Sequence, residues 1–150
     1  MVESGTLLRC YTGNCIEGSN PSLSAIIWVK INIDLIMKDK TLFEKIIDRE
    51  IPADIVYEDN LCIAINDINP QAPIHVLLIP KKPIAKISDC NEDDKDLLAH
   101  LFLTVGKIAS KLDISNTFRI NINNGEGAGQ EVFHLHIHIL AGRRFNWPPG

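Results

Sequence analysis

Residues 132–140 read Val132-Phe133-His134-Leu135-His136-Ile137-His138-Ile139-Leu140, which places a histidine at every second position. Side chains along a β-strand alternate between its two faces. The alternation predicts that the three imidazoles share one face, while Phe133, Leu135, Ile137 and Ile139 fill the other. Three of the chain's five histidines therefore form one row.

The histidine row is compatible with a structural strand, a metal site or a catalytic site. Valine, isoleucine or threonine would suit a purely structural strand better. At about 3.3 Å per residue, the Cα atoms of His134 and His138 lie ~13 Å apart, so one ion cannot easily reach all three imidazoles. The other candidate ligands, His75, His100 and the four cysteines, show no recognised ligand spacing. Imidazole is partly neutral at pH 7, so one histidine can attack a substrate while its neighbours orient it. We therefore predict a catalytic site without a metal or another cofactor.

The composition indicates a protein of one domain that acts on small ligands. The chain has 150 residues and a net charge of −4, so it lacks the basic surface that nucleic-acid binding requires. Its four cysteines form no CxxC pair, which is typical of a cytoplasmic, disulfide-free protein. The apolar stretch 25–36 is interrupted by Lys30, Asn32 and Asp34 and is too short to cross a membrane.

Residues 1–36 have no clear hydrophobic period, and we expect the folded domain to comprise residues 37–150. Two explanations for this segment fit the sequence. It is either a disordered extension or the product of a start site placed too far upstream, with Met37 as the natural start. Codons that resemble the T-arm of a transfer-RNA gene would specify Gly18-Ser19-Asn20-Pro21, which favours the second explanation. Any peptide from residues 1–36 in the mass spectrum of the native protein would exclude it.

The patterns after residue 40 predict an antiparallel α+β fold with one short and one long helix packed on a sheet. Thr41 and Glu44 form a capping-box pattern for the short helix, which should end before Pro52. Strands are expected at 55–58, 61–67, 74–79 and 117–123, followed by the histidine row, and Phe118, Ile120 and Ile122 should face inward. The long helix is expected over 91–112, with Asp89 or Asn91 as its cap and His100 as a surface or packing residue. Its predicted buried face consists of Leu98, Leu101, Phe102, Val105, Ile108, Ala109 and Leu112.

A glycine-rich loop and an aspartate accompany the histidines. The loop 124–130 has three glycines in five residues and leads directly into the histidine row. Alone it is typical of a flexible hairpin, but beside three histidines it predicts a backbone cradle for an anion such as phosphate. No Gly-Lys-Ser/Thr follows, so the loop is not that of a P-loop nucleotidase. Asp67 ends an apolar strand, where its carboxylate either accepts hydrogen bonds from ribose hydroxyls or caps the turn before Asn69-Pro70.

The segment 134–140 resembles the histidine triad pattern, and the chain is similar to the histidine triad (HIT) superfamily, specifically its Hint branch. The similarity extends from about Thr41 to Gly150. It includes Ile51-Pro52-Ala53, Asp67-Ile68-Asn69-Pro70-Gln71-Ala72-Pro73, Ile79-Pro80-Lys81-Lys82, Gly129-Gln130 and Trp147-Pro148-Pro149-Gly150.

The resemblance implies a HIT-like fold and a homodimeric purine nucleoside phosphoramidase, which releases an amine from an adenosine or guanosine 5′-phosphoramidate. His136 would be the nucleophile that forms a nucleotidylated imidazole, which water then hydrolyses. His134 and His138 would flank it, with His138 on the phosphate, and His75 would extend the histidine network.

The resemblance also implies a set of nucleotide-binding residues. Asp67 would hold the ribose, and the base pocket would comprise Phe43, Ile46, Ile65 and Ile68. The phosphate would meet Asn123, Gly129 and Gln130, and Trp147 in the tail would cross the dimer toward the partner's site. Two positions depart from some relatives: Glu131 replaces a serine near the phosphate, and Ile65 replaces an aromatic residue, which could loosen base selectivity.

Other activities fit the same residues. A dinucleoside polyphosphate hydrolase or a nucleotidyltransferase of the same superfamily would use the same histidine with another leaving group. A nucleotide-binding regulatory protein would hydrolyse its ligand only incidentally. The Trp-Pro-Pro-Gly terminus favours the Hint branch among these alternatives.

Overall fold

A computed structural model describes residues 40–147, so the predictions for residues 1–36 and for the last three residues lie outside it. A short helix and three strands come first, followed by a long helix and two further strands. Helix α1 spans Leu42–Ile47, and the strands are β1 (Ile55–Glu58), β2 (Cys62–Asn66) and β3 (Ile74–Pro80). Helix α2 (Lys95–Lys111) is followed by β4 (Arg119–Asn121) and β5 (Ile137–Ala141). None of the helices within residues 40–147 is long and apolar enough to cross a membrane.

The five strands form one antiparallel sheet in the order β1-β2-β3-β5-β4. The predicted antiparallel α+β fold with one short and one long helix is therefore confirmed. Strands β3 and β5 are neighbours although α2 and β4 separate them in sequence. Their register places His75 opposite Leu140 and Leu77 opposite His138. The pairing therefore brings His75 close to the histidine row.

Alternate residues of the central strands supply two apolar clusters, one on each face of the sheet. Cys62, Ala64, Val76, Leu78, Ile137 and Ile139 pack with Leu101, Val105 and Ile108 of α2. Ile63, Ile65, Leu77 and Ile79 pack with Phe43 and Ile46 of α1. Burying an aliphatic side chain of this size contributes roughly 1.5–3 kcal/mol, so both faces help to hold the helices on the sheet.

The helix caps follow the sequence closely at α1 and less closely at α2. Thr41 Oγ1 accepts a hydrogen bond from the Glu44 N–H at 3.2 Å, and the Glu44 carboxylate accepts one from the Thr41 N–H at 2.8 Å. The predicted capping box is therefore present. Asn91 caps a 3-10 turn at Glu92–Asp94, so the α-helix begins at Lys95 instead of residue 91.

Two predictions of burial are wrong. Phe102 is 50% exposed, whereas Thr104 is fully buried. The buried face of α2 is centred on positions 101, 104, 105 and 108, which places Phe102 at its rim. Ile120 is 37% exposed because β4 has only three residues and lies at the edge of the sheet, with a neighbouring strand on one side only.

Candidate functional site

A cavity of about 420 Å³ opens on the α1 face of the sheet. Ten of the thirteen residues predicted for the site line it: Phe43, Ile46, Ile65, Asp67, Ile68, His75, Asn123, Gly129, His136 and His138. Seven further residues complete its wall: Leu42, Asn66, Asn69, Gln71, Leu77, Glu131 and Val132. Asn69, Gln71, Glu131 and Val132 belong to stretches discussed above but were not predicted to be site residues.

The histidine row is only partly a β-strand. Strand β5 begins at Ile137, so His134 and His136 precede it in an irregular segment. The alternation nevertheless continues through this segment, since the rings of His134 and His136 lie 6.1 and 5.1 Å from that of Phe43, on the α1 face. Leu135 is buried in the cluster under α2. Phe133 departs from the prediction: it is 48% exposed because it lies in a bend before the strand.

His134 anchors the segment to the core. Its ring is buried, and Nε2 lies 2.8 Å from the carbonyl oxygen of Pro80. Because a carbonyl can only accept, Nε2 carries the proton and donates it. The Thr41 hydroxyl lies 3.4 Å from the other ring nitrogen. His134 does not line the cavity, so its side chain positions its neighbours.

The orientation of His136 follows from the same rule. Its Nδ1 lies 2.7 Å from the backbone carbonyl of His134, so Nδ1 must donate a proton to that oxygen. In the neutral ring this leaves the lone pair on Nε2, the nitrogen farther from the backbone. The ring lines the cavity. His136 is therefore held in the tautomer that can act as a nucleophile or accept a proton.

A chain of hydrogen bonds fixes the tautomers of His75 and His138. The Gln71 N–H donates to His75 Nδ1 at 3.2 Å, which leaves the proton of His75 on Nε2. His75 Nε2 lies 2.9 Å from His138 Nδ1 and donates to it. The proton of His138 is then on Nε2, a buried atom without a hydrogen-bond partner among the described residues. A buried N–H beside the cavity is suited to donate to an anionic oxygen of a ligand.

His75 and His138, the two histidines linked by these hydrogen bonds, are held neutral. Burial lowers the pKa of His138 to about 4, and the neighbouring His136 and His75 add to the effect. Burial also lowers the pKa of His75; the Asp67 carboxylate, 3.4 Å from Nδ1, opposes this, and His136 reinforces it. We assign the neutral form to His75, because the backbone N–H of Gln71 needs Nδ1 as an acceptor.

The depressed pKa of His138 predicts an acid-sensitive fold. Between its ordinary pKa of 6.5 and its folded value of about 4, the unfolded chain binds a proton that the folded chain does not. The free energy of unfolding should therefore fall as the pH is lowered through this window, by at most about 3 kcal/mol at roughly 1.4 kcal/mol per pKa unit. Urea denaturation at pH 7 and pH 4.5 would measure the fall. It should be smaller in His138→Gln, and an equal fall in both proteins would contradict the assignment.

The glycine-rich loop, predicted to be a cradle for phosphate, borders the cavity at Gly129. Gly125 and Gly129 have φ values of 85° and 84°, which favour glycine, and Gly129 lines the cavity. The Asn123 side-chain amide donates to the Gly129 carbonyl at 3.1 Å. This bond ties the end of the loop to the residue that follows β4, so both predicted phosphate contacts are adjacent.

The Gln130 side chain is directed into the protein and does not line the cavity. It is 2% exposed, and its Oε1 accepts from the Gly125 N–H at 2.8 Å. Its Nε2 donates to the carbonyls of Ala85 at 2.7 Å and Val132 at 3.1 Å. The resemblance implied that Gln130 meets the phosphate, but its side chain is used elsewhere: all three bonds go to backbone groups, and they hold the loop closed.

Asp67 caps the turn before Asn69-Pro70 and is also part of the cavity wall. One carboxylate oxygen accepts from the Asn69 N–H at 2.8 Å, which caps the turn, and the carboxylate also lines the cavity. The apolar wall formed by Phe43, Ile46, Ile65 and Leu77 lies in the same cavity. Trp147 is 85% exposed and does not line it. A ligand with an apolar ring, hydroxyl groups and an anionic group would match these three regions.

Known proteins match both the sequence and the fold. The family model for the HIT domain matches residues 48–145. An uncharacterized HIT-like protein of Synechocystis is 59% identical over 114 residues, which cover 76% of this chain and 100% of that protein. A similar protein of Synechococcus elongatus is 54% identical over the same shares.

Solved structures give the same result. The crystal structure of a HIT family hydrolase from Legionella pneumophila has a TM-score of 0.72 and 48% identity, and the match covers 74% of this chain and 100% of that one. A histidine triad protein from Clostridium difficile has a TM-score of 0.67 and 42% identity, with 70% and 92% of the chains covered. The histidine row, the fold around it and these matches agree, and the chain belongs to the histidine triad (HIT) family.

Proposed function

We propose that the protein is a hydrolase of the Hint branch that cleaves the P–N bond of purine nucleoside 5′-phosphoramidates. The observation that carries the proposal is the orientation of His136. Its Nδ1 donates to the carbonyl of its own segment, so the lone pair is on Nε2 of a ring that lines the cavity. Beside it, at a ring distance of 4.9 Å, is His138 with its unpaired buried N–H.

The reaction follows from these two groups. His136 Nε2 attacks the phosphorus atom and forms an N–P bond, while the original P–N bond breaks and the amine leaves with a proton taken from solvent water. The N–H of His138 donates to a phosphoryl oxygen and stabilises the charge that builds up there. A water molecule then attacks the nucleotidylated His136, which releases the nucleoside monophosphate and restores the imidazole. The covalent intermediate divides one difficult displacement into two easier ones.

The remaining walls support a nucleotide as the ligand. The apolar side chains around Phe43 would hold the purine, and the Asp67 carboxylate would accept hydrogen bonds from the ribose hydroxyls. The loop ending at Gly129 and the Asn123 amide would border the phosphate. A cavity of about 420 Å³ is within the usual range for small-ligand sites.

A homodimer belongs to the same proposal. Trp147 is 85% exposed, and Phe102 and Leu103 on α2 are 50% and 71% exposed. Exposed large apolar side chains are typical of surfaces that a partner covers. In the proposed dimer, the tail that carries Trp147 reaches the partner's cavity, where it would contact the leaving amine.

The proposal is tested by comparing turnover of adenosine and guanosine 5′-phosphoramidates with that of diadenosine triphosphate. We expect kcat/KM to be higher for the phosphoramidates by at least about a hundredfold, because only these substrates carry an amine as the leaving group. Faster cleavage of diadenosine triphosphate would identify a polyphosphate hydrolase instead. Tight AMP binding without turnover of any substrate would identify a regulatory protein.

Sedimentation equilibrium of the same preparation should give twice the chain mass, and a monomer would contradict the dimer.

A further inference from the structure

A second cluster of ionisable side chains lies on the other face of the sheet, where α2 packs. The turn between β1 and β2 contributes Asp59, the start of β2 contributes Cys62, and the first half of α2 contributes His100. The Asp59 carboxylate lies 2.7 Å from His100 Nε2 and 3.3 Å from Cys62 Sγ. The ligand atoms of the three residues all lie within 4.8 Å of one another. The cavity with His136 does not include any of them.

We propose that Asp59, Cys62 and His100 form a binding site for a divalent transition metal ion of the zinc class. One thiolate sulfur, one imidazole nitrogen and one carboxylate oxygen are the three kinds of ligand that zinc takes in proteins. Oxygen-preferring ions such as magnesium would not select a site that contains sulfur and nitrogen. The inference is independent of the proposed phosphoramidase activity.

Thr104 provides a second observation that points to an ion. It is fully buried, and the Cys62 sulfur is the one partner that its hydroxyl has within reach among the described residues. It lies one turn after His100 on the same side of α2 and close enough to the Cys62 thiol to lower its pKa. The thiol donates to Asp59 and can still accept from the threonine through its sulfur lone pairs, although a neutral sulfur is a weak acceptor. A metal-bound thiolate is negatively charged and can only accept, so it would be a stronger acceptor for the Thr104 hydroxyl than the neutral thiol.

The site is open to solvent on one side. The side chains of His100 and Asp59 are 26% and 22% exposed, whereas Cys62 is buried. An ion would therefore enter past the imidazole and carboxylate. The Tyr57 hydroxyl, 2.9 Å from the Asp59 carboxylate, or a water molecule would be available for a fourth position.

Ionisation of the ligands sets the conditions for binding. Burial would raise the pKa of Asp59, but hydrogen bonds from the N–H groups of Leu61 and Cys62 and from His100 and Tyr57 outweigh it, so the residue is a carboxylate. Burial raises the pKa of Cys62 to about 12, and the nearby Asp59 contributes. The ion must therefore displace the thiol proton into solvent, and the positive charge of Lys107, which lowers the thiol pKa, favours this loss. Affinity should rise with pH as a result.

Cobalt is a suitable probe, because a cobalt–thiolate bond produces a charge-transfer absorption that carboxylate and imidazole ligands do not. The full chain carrying Cys10→Ser and Cys15→Ser, stripped of metal with a chelator, should bind one Co²⁺ per chain with this absorption, and Zn²⁺ should displace it. Cys62→Ser in the same background should remove the absorption. The matched control Cys90→Ser changes the other described cysteine and should retain it.

Two results would overturn the site: no charge-transfer absorption in the parent protein, or the same absorption after Cys62→Ser. If Cys62→Ser does not fold, His100→Gln gives an independent test. Its amide can still donate to Asp59, so the fold should persist while Co²⁺ affinity falls by at least about tenfold, as for loss of one ligand. Unchanged affinity in His100→Gln would also overturn the proposal.

Discussion

His136→Gly is expected to lower kcat for adenosine 5′-phosphoramidate by at least about a thousandfold, a loss typical of removing a covalent nucleophile. His136 is the histidine whose lone pair is on the distal nitrogen of a ring that lines the cavity. No neighbouring residue can replace it, because His134 Nε2 is bound to Pro80 and His138 Nδ1 is bound to His75. Release of AMP, followed by chromatography, would measure the loss.

The covalent intermediate separates this role from a general effect on binding. Rapid quenching of the unsubstituted protein should give a nucleotidyl adduct on the peptide that contains His136. The matched variant His138→Gln should react more slowly but still form the adduct, because it loses only a donor to the phosphate. The melting temperature of His136→Gly should stay close to that of the parent. Retention of more than about a tenth of the activity would contradict the nucleophilic role, since loss of a nucleophile is far more costly.

The fold could be predicted from the sequence because helices and strands depend on local periodicity, whereas most residues of the candidate site came from the family resemblance. Alternation at every second residue placed His136 and His138 on the cavity face. The resemblance to a known family pattern then assigned a different proposed role to each of these two histidines. The helical period identified α2, although it placed Phe102 on the buried face and omitted Thr104, whose burial depends on how the helix sits on the sheet.

The contacts that determine the chemistry come from residues far apart in sequence. The tautomer of His134 depends on the Pro80 carbonyl, and that of His138 depends on Gln71 acting through His75. No periodic pattern encodes these partners. The same is true of the cluster of Asp59, Cys62 and His100, which gave no ligand spacing because a hairpin turn and a helix contribute to it.

Gln130→Met is expected to lower the free energy of unfolding by about 2–3 kcal/mol, a usual cost of leaving buried polar groups without partners. Methionine has nearly the same length, so the substitution removes the hydrogen bonds with little change of volume. The Gly125 N–H and the Ala85 carbonyl lose the partner that Gln130 gives them, whereas the Val132 carbonyl keeps a hydrogen bond from the His134 N–H at 2.9 Å. Urea denaturation would measure the loss, as a shift of the midpoint without a change of slope.

The same substitution should reduce activity, because Gln130 closes the loop that borders the phosphate. Without the bond to Gly125, the Gly129 backbone would shift relative to His136, and a displacement of about 1 Å can cost roughly a hundredfold in rate. Gln71→Met is the matched control for stability, since Gln71 is exposed and its side chain bonds only to the nearby Asn69 carbonyl at 2.9 Å. Its free energy of unfolding should change by less than about 0.5 kcal/mol. If the two variants were equally stable, the hydrogen bonds of Gln130 would not hold the loop, and its side chain would be free to serve the phosphate directly.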